Sequence, residues 1–226
     1  MRKLTLPLAL LAVLALAASA VAATNASKFD LSLSTKKTEK STSFKFDVAF
    51  ANTGGNAVPA ALNKFSVSLP KGSKFNHAAA SQCKATEQEL TQQGSANACP
   101  RGSEVGSGTA TAVPPAGGAT IKTTVKIYNM TGKTFLFQFQ LNGADAARFG
   151  AKSKGSTLTS ETLTGTLPGD VIVTSFKGKI NKKSSKGKNL ITTPKKCPKS
   201  KKWKFSGNFK FADGTHKPTD TVACRS

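Results

Sequence analysis

The chain has 226 residues, enough for one β domain of good size or two small ones. Its 33 Lys plus Arg against 11 Asp plus Glu give a formal net charge of +22, which draws a protein to polyanions without specifying which one. No stretch after residue 22 is apolar enough to span a bilayer, which excludes a membrane-spanning helix from that part of the sequence.

The first 22 residues have the three parts of a secretory signal peptide. Arg2-Lys3 is a short positive region, residues 4–17 are almost wholly apolar, and Ala20-Val21-Ala22 has the small residues that signal peptidase accepts. The alternative is an uncleaved anchor, but a spanning helix needs about 20 apolar residues and this core is shorter. We therefore expect a cleaved signal peptide at 1–22 and a single domain at 23–226, secreted and either extracellular or cell-wall associated.

Alternation of apolar and polar residues dominates the sequence after this signal and predicts β-strands. Residues 28–35 and 43–51 each place apolar side chains on one face, with a polar turn between them, so they predict an antiparallel pair. The segment Asn52-Thr53-Gly54-Gly55-Asn56 ends the second run because Gly and Asn accept positive φ. Residues 64–69 alternate again up to Pro70.

One short helix is predicted after these strands. Thr86 and Glu89 have the spacing of a capping box, and Gly94 is where the helix should end. The helix lies between Cys83 and Cys99. A helix this short is marginal alone, so a disulfide across the segment would hold it against the sheet.

The strongest strand pattern is at residues 133–142, where Phe and Leu alternate with Gln. Asn142-Gly143 ends this strand, and residues 144–149 are expected to form a short helical turn. Residues 202–211 and 217–223 predict a terminal hairpin turned at Asp213-Gly214, a favoured hairpin dipeptide.

Short alternating runs separated by Gly, Pro and Asn, without long helical periods, are typical of all-β folds. The sequence predicts an antiparallel β-sandwich, with a barrel-like sheet as the less favoured alternative, and one short helix inside a disulfide loop.

The four cysteines predict two local disulfides. Three pairings are possible in principle, and Cys83–Cys99 with Cys197–Cys224 is the simplest because each pair encloses one compact unit. Disulfides of this kind persist in exported proteins. The chain has no C-x-x-C, and its two histidines lie outside any ligand spacing, so we expect no metal.

The C-terminal third carries 13 lysines and no carboxylate between Val171 and Ala212. Such a surface could attract an anionic polymer in a salt-dependent way. It could equally be a solvated face that keeps edge strands from pairing with other chains. The candidate polyanion-binding residues are Lys195, Lys196, Lys199, Lys201, Lys202 and Lys204.

Trp203 lies among these lysines, and interleaved basic and aromatic residues can stack on bases or sugars. Trp203, Phe205 and Phe209 also share one strand face, and core packing explains that spacing more simply. No nucleic-acid-binding motif accompanies them, so we expect no sequence-specific nucleic-acid partner.

Recognisable catalytic motifs are missing from the sequence. It has no G-x-S-x-G elbow, and neither histidine stands beside an obvious nucleophile. Gly106-Ser107-Gly108 lacks the Lys and the helix of a phosphate loop and predicts a turn entering a strand. We expect a protein that is not an enzyme and needs no cofactor. A pair of carboxylates assembled by the fold would leave no trace in sequence, which keeps an exported hydrolase open.

Two stretches resemble a known class of exported protein. Ala98-Cys99-Pro100 with Gly106 and Gly108 forms the first, and Cys197-Pro198, Trp203 and Cys224 belong to the second. Together they resemble uncharacterised secreted β-sandwich proteins of soil actinobacteria. The resemblance covers about a quarter of the chain, implies export and fold, and implies no function.

Three hypotheses follow for function. The first is a secreted non-enzymatic binding or structural protein that contacts anionic cell-wall or matrix polymers through its lysines. The alternative is an exported hydrolase that acts on polysaccharide or lipid. The third is a protein that binds nucleic acid or a heparin-like polymer.

Overall fold

The computed structural model describes residues 23–53, 58–163 and 171–225. The predicted signal peptide lies outside these residues. In the part of the chain that is described, no helix is long and apolar enough to cross a membrane.

The described residues form a largely antiparallel β structure, numbered here in chain order. The main sheet consists of β1 (Thr24–Leu33), β2 (Phe44–Asn52), β3 (Leu62–Ser68), β5 (Glu104–Val113), β6 (Ile121–Met130), β7 (Thr134–Leu141), β8 (Ala144–Lys154), β9 (Thr157–Ser160), β10 (Ile172–Ile180), β14 (Lys202–Phe211), β15 (Gly214–His216) and β16 (Thr219–Ala223). Two small sheets pair β4 (Lys74–Phe75) with β13 (Ile191–Thr192) and β11 (Ser184–Ser185) with β12 (Lys188–Asn189).

The main sheet curls into a nearly closed barrel. Its strand order is β1-β2-β10-β5-β6-β7-β8-β9-β3-β14, and β14 pairs at its other edge with both β15 and β16. Every pairing in this sheet is antiparallel. The all-β antiparallel fold is therefore confirmed, in the barrel-like arrangement.

A seam joins the two ends of the sheet. Because β15 and β16 share one position, the ring has eleven positions, and an odd ring of antiparallel neighbours must meet in parallel where it closes. Side chains bridge this seam: the backbone N–H groups of Thr24, Ala26 and Leu31 in β1 donate to a side-chain acceptor on the other side. The acceptors are Asp213 Oδ2 (2.8 Å), His216 Nδ1 (3.0 Å) and Asp220 Oδ2 (2.8 Å).

The barrel interior is filled by the apolar face of each alternating strand. At one end of the barrel, β4, β13 and the turn at His77 cover the interior, and the side chains of Leu190 and Ile191 are fully buried there. We call this the His77 end. The opposite end, where Leu62, Leu163 and Val173 lie, is the Leu163 end.

The disulfide loop matches its prediction closely. Both predicted bridges, Cys83–Cys99 and Cys197–Cys224, are present. Helix α1 (Glu87–Gln93) begins after Thr86 with the predicted capping box, and Gly94 ends it. A second helix, α2 (Ser95–Ala98), follows inside the same loop.

The expected helical turn at 144–149 is wrong, because these residues open strand β8. Asn142 and Gly143 have φ values of 51° and 82° and form a two-residue connection between Leu141 and Ala144. Positive φ at both positions gives the tight hairpin turn whose twist suits antiparallel strands. Pairing with β7 then overrides the weak β propensity of the alanines.

The terminal hairpin is present with its turn one residue earlier than predicted. Phe211 pairs with Gly214, so Ala212 and Asp213 form the connection. Pro218 separates β15 from β16, because proline has no N–H to donate to a ladder.

Candidate functional site

The six predicted lysines are all exposed and occupy one region of the surface. Lys195, Lys196, Lys199 and Lys201 belong to the loop between β13 and β14, whereas Lys202 and Lys204 are on β14 itself. Strand alternation turns the neighbouring Trp203 and Phe205 into the core. Lys202 and Lys204 must therefore point outward.

Three of the six line a groove of about 600 Å³ on the outside of the barrel: Lys196, Lys202 and Lys204. Lys195, Lys199 and Lys201 are exposed on the same loop but do not line it. A fourth lysine, Lys71, also lines the groove, and it is not among the six predicted residues. Four hydroxyl groups complete its polar lining: Ser68, Ser156, Ser200 and Ser206.

Strand pairing brings Lys71 to this groove. Ser68 at the end of β3 pairs with Ser206 in β14, and on its other side with Thr157 in β9. The chain then turns at Gly72, where φ is 95°. Lys71 is far from Lys202 in sequence, so no local pattern could have indicated that they share a site.

The Cys197–Cys224 bridge fixes the lysine-bearing loop to the barrel. The Cys224 N–H donates to the carbonyl of Lys201 (2.8 Å), and the Lys201 N–H donates to the carbonyl of Pro198 (2.9 Å). These bonds set the backbone on which Lys196 and Lys202 are presented.

The lining of this groove contains no carboxylate. Within the described residues, the ion pairs involve Lys28, Lys126, Arg148 and Lys177, and none of the groove lysines. Four ammonium groups on one concave surface raise the local positive potential and concentrate anions there.

A second external groove, of about 610 Å³, is less suited to an anion. Lys45, Lys177 and Lys179 line it together with Asp30 and Asp47. Asp47 Oδ2 lies 2.7 Å from Lys28 Nζ and 3.6 Å from Lys177 Nζ. The lysines of this second groove are thus partly neutralised. The first groove, lined by Lys71, Lys196, Lys202 and Lys204, is the better anion site and is called the lysine groove below.

Trp203 does not form a stacking platform for this groove. Its side chain is 2 % exposed and belongs to the main core. Core packing, which the strand parity favoured, is therefore the correct interpretation of Trp203.

The barrel interior holds a cavity of about 60 Å³ with no polar lining surface. Its lining includes nine phenylalanines and six aliphatic residues. A second apolar cavity of about 120 Å³ lies next to it, and Phe139 and Val173 line both. An unfilled void of 60 Å³ costs roughly 1.5 kcal/mol of stability at 24 cal/mol per Å³.

A buried polar network lies at the His77 end. His77 Nδ1 is 2.6 Å from Asn129 Oδ1, and His77 Nε2 is 2.8 Å from Ser153 Oγ. The Asn129 Nδ2 group donates to the carbonyls of His77, Ala80 and Ser81. This orients Oδ1 toward the ring, so Nδ1 carries the proton and the Ser153 hydroxyl donates to Nε2.

Burial lowers the pKa of His77, and the positive charge of Lys133 lowers it further, against an opposing contribution from the hydrogen bond with Asn129. The neutral ring is therefore favoured, in agreement with the hydrogen-bond pattern.

The order Ser153–His77–Asn129 has the geometry of a hydrolase relay, in which a base activates a hydroxyl and a third group orients the base. It is the feature most relevant to an exported hydrolase, and no local sequence pattern indicates that His77 and Ser153 meet. Ser153 is only 6 % exposed and His77 4 %. None of the three lines the cavities or grooves described above. Among the described residues the arrangement is therefore a buried hydrogen-bond network that closes this end of the barrel.

No group of three or more His, Cys, Asp or Glu in the described residues could hold a metal ion.

Comparisons of the chain with protein-family models, with curated proteins and with solved structures find no match. The resemblance to secreted actinobacterial proteins stays a prediction.

Proposed function

We propose that this chain is a secreted, non-enzymatic binding protein that contacts anionic polymers of the cell envelope or extracellular matrix. The observation that carries the proposal is the lysine groove, where four ammonium groups and four hydroxyls line one concave surface without a carboxylate.

The composition of the groove suits sulfated, phosphorylated or uronic polymers. Each ammonium group offers three donors to an anionic oxygen, and the hydroxyls of Ser156 and Ser206 can donate to further oxygens between the charges. The groove lies on the outside of the barrel wall, where a polymer can reach its lysines.

Attraction in such a site depends on salt. At about 0.15 M ionic strength exposed charges are screened beyond roughly 8 Å. Only lysines close to the polymer then contribute, so the arrangement of the groove lysines, and not the net charge of +22 alone, should decide retention.

The test compares two triple variants of equal charge. In one, Lys196, Lys202 and Lys204 are changed to Gln. In the control, Lys64, Lys84 and Lys122, which line neither external groove, are changed to Gln. These control lysines are exposed, lie outside the lysine groove and are in none of the ion pairs of the described residues.

Binding to heparin and to linear polyphosphate is measured across a salt series. We expect the groove variant to elute at clearly lower salt than the control. The slope of log affinity against log salt should fall by about 2 for three lost contacts, by analogy with flexible nucleic-acid strands. Equal shifts in both variants would show that net charge alone is responsible and would overturn the proposal.

A further inference from the structure

We infer that the barrel interior is a binding site for a small apolar ligand, such as a single aromatic ring or the end of a hydrocarbon chain. The site is separate from the lysine groove, and this inference does not depend on the function proposed for that groove.

The chemistry of the cavity excludes polar ligands. The lining presents no polar surface, and its rings include Phe65, Phe137, Phe149 and Phe176. A water molecule needs two to four polar partners to be stable in a cavity, whereas voids lined by Leu, Ile and Phe stay dry and accept benzene or xenon. An apolar ligand would meet no unsatisfied donor or acceptor there.

The size of the site suits a single ring. The cavities of about 60 and 120 Å³ share Phe139 and Val173, so these two side chains form the partition between them. A shift of the Phe139 ring would join the two spaces. The joined space would be comparable with the dry engineered cavity of roughly 150 Å³ that binds benzene.

Among the described residues, the Leu163 end of the barrel is the less covered one. At the His77 end the buried network of His77, Asn129 and Ser153 and the fully buried Ile191 cover the interior. At the other end, Leu62 and Val173 of the lining are only half-buried. Leu141, which is 41 % exposed, lines the neighbouring cavity.

The two sites lie toward opposite ends of strand β14. Lys202 and Lys204, at its start, line the lysine groove, whereas Phe209, near its end, lines the apolar cavity. The groove and the cavity share no lining residue. A substitution that removes one binding site should therefore leave binding at the other unchanged.

The experiment is a benzene titration of the purified protein, followed by methyl NMR. Benzene should shift the methyl resonances of lining residues such as Val67, Leu158 and Leu163. It should leave those of Leu31 and Leu90 unchanged, because these residues are buried but line neither cavity. Thermal unfolding should shift upward by roughly 3–6 °C at ten times Kd.

The decisive variant is Val173→Phe, because Val173 lines both cavities and the larger ring would occupy their space. Val222→Phe is the control, because Val222 lines neither cavity. Val173→Leu is the milder substitution if the larger ring prevents folding. We expect the Val173 variants to lose the methyl shifts and the thermal response, and the Val222 variant to keep them. Heparin retention should be unchanged in the Val173 variants.

Two results would overturn the inference. One is the absence of any benzene response in the unmodified protein at its solubility limit. The other is a response that spreads equally over Leu31 and Leu90, or that persists in the Val173 variants.

Discussion

His77 shows how a polar group can close an apolar barrel. Its two ring nitrogens are both used, one with Asn129 and one with Ser153, and its ring lies 4.4 Å from that of Phe135 between centroids. A buried polar group without partners costs about 1–3 kcal/mol, and here each one has a partner. The network therefore covers the His77 end without leaving an unsatisfied ring nitrogen.

Acid should weaken this part of the fold. The pKa of His77 is below its ordinary value of 6.5 in the folded protein. As the pH falls below about 6.5, His77 is therefore protonated in the unfolded chain while it stays neutral in the folded protein. The free energy of unfolding should then decrease with falling pH, by at most about 1.4 kcal/mol per pH unit, until the folded-state pKa is passed.

Denaturant unfolding between pH 7.5 and pH 5 measures this effect. His77→Gln should be less stable at pH 7.5 and should show a smaller pH dependence across this range. A pH dependence equal to that of the unmodified protein would mean that other groups cause it.

For single residues, the alternation along a strand indicates which side chains face the core and which face the solvent. The alternation in residues 202–211 favoured core packing for Trp203, and Trp203 is buried. It could not indicate Lys71, nor the meeting of His77 with Ser153, because both depend on strand pairings between distant segments.

Glycines in β5 and β10 allow two strands to approach closely. A Cβ added at Gly108 would lie 2.3 Å from the carbonyl oxygen of Lys177, and one at Gly178 would lie 2.6 Å from the Phe46 ring. The segment Gly106-Ser107-Gly108 is thus a packing feature within a strand and not a turn, which corrects the expectation from sequence.

We predict that Gly108→Ala destabilises the protein by about 1–3 kcal/mol, the usual range for overpacking. The control is Gly150→Ala in β8, where the new methyl group would meet its neighbours at an ordinary 3.4 Å or more. The measurement is urea unfolding of both variants. Equal losses would contradict the proposed close contact between β5 and β10.

Local signals predicted elements well where the chemistry is local. Thr86 and Glu89 defined α1 because a capping box involves only four neighbouring residues. Ala144 and the residues after it lack such a signal, and the strand there forms because the turn at Asn142-Gly143 places it beside β7.

Closure of the whole barrel depends on the seam. Asp220 accepts from the Leu31 N–H through Oδ2 at 2.8 Å and from the Thr221 N–H through Oδ1 at 2.6 Å. Hydrogen bonds to charged groups contribute about 1.5–3 kcal/mol. Between β1 and β16, the Asp220 carboxylate thus accepts a backbone N–H that would donate to a backbone carbonyl in a regular antiparallel pair.

Asp220→Ala should lower the free energy of unfolding by about 1.5–3 kcal/mol and speed hydrogen exchange at the Leu31 amide. Asp30→Ala is the control, because Asp30 precedes Leu31 on β1, its side chain is 69 % exposed and it makes a long ion pair with Lys28 (3.6 Å). Unchanged exchange at Leu31 in the Asp220 variant would show that the seam does not depend on this bond.

The all-β class could be predicted because alternation is a property of each strand alone. The strand order could not, because β10 lies between β2 and β5, and β14 beside β3, through contacts that no local pattern encodes. The lysine-rich composition indicated a basic surface, whereas the groove and the apolar cavity exist only once these distant strands have paired.

The parallel seam also affects synthesis. A ribosome makes β1 first, and Asp213, His216 and Asp220 follow it by 189 or 190 residues. Until they emerge, the donors along this edge are open to any other extended chain, including a second nascent copy. The protein should therefore be most prone to aggregate before its final strands are made. A chaperone that binds the β1 edge during that interval should raise the yield of folded protein.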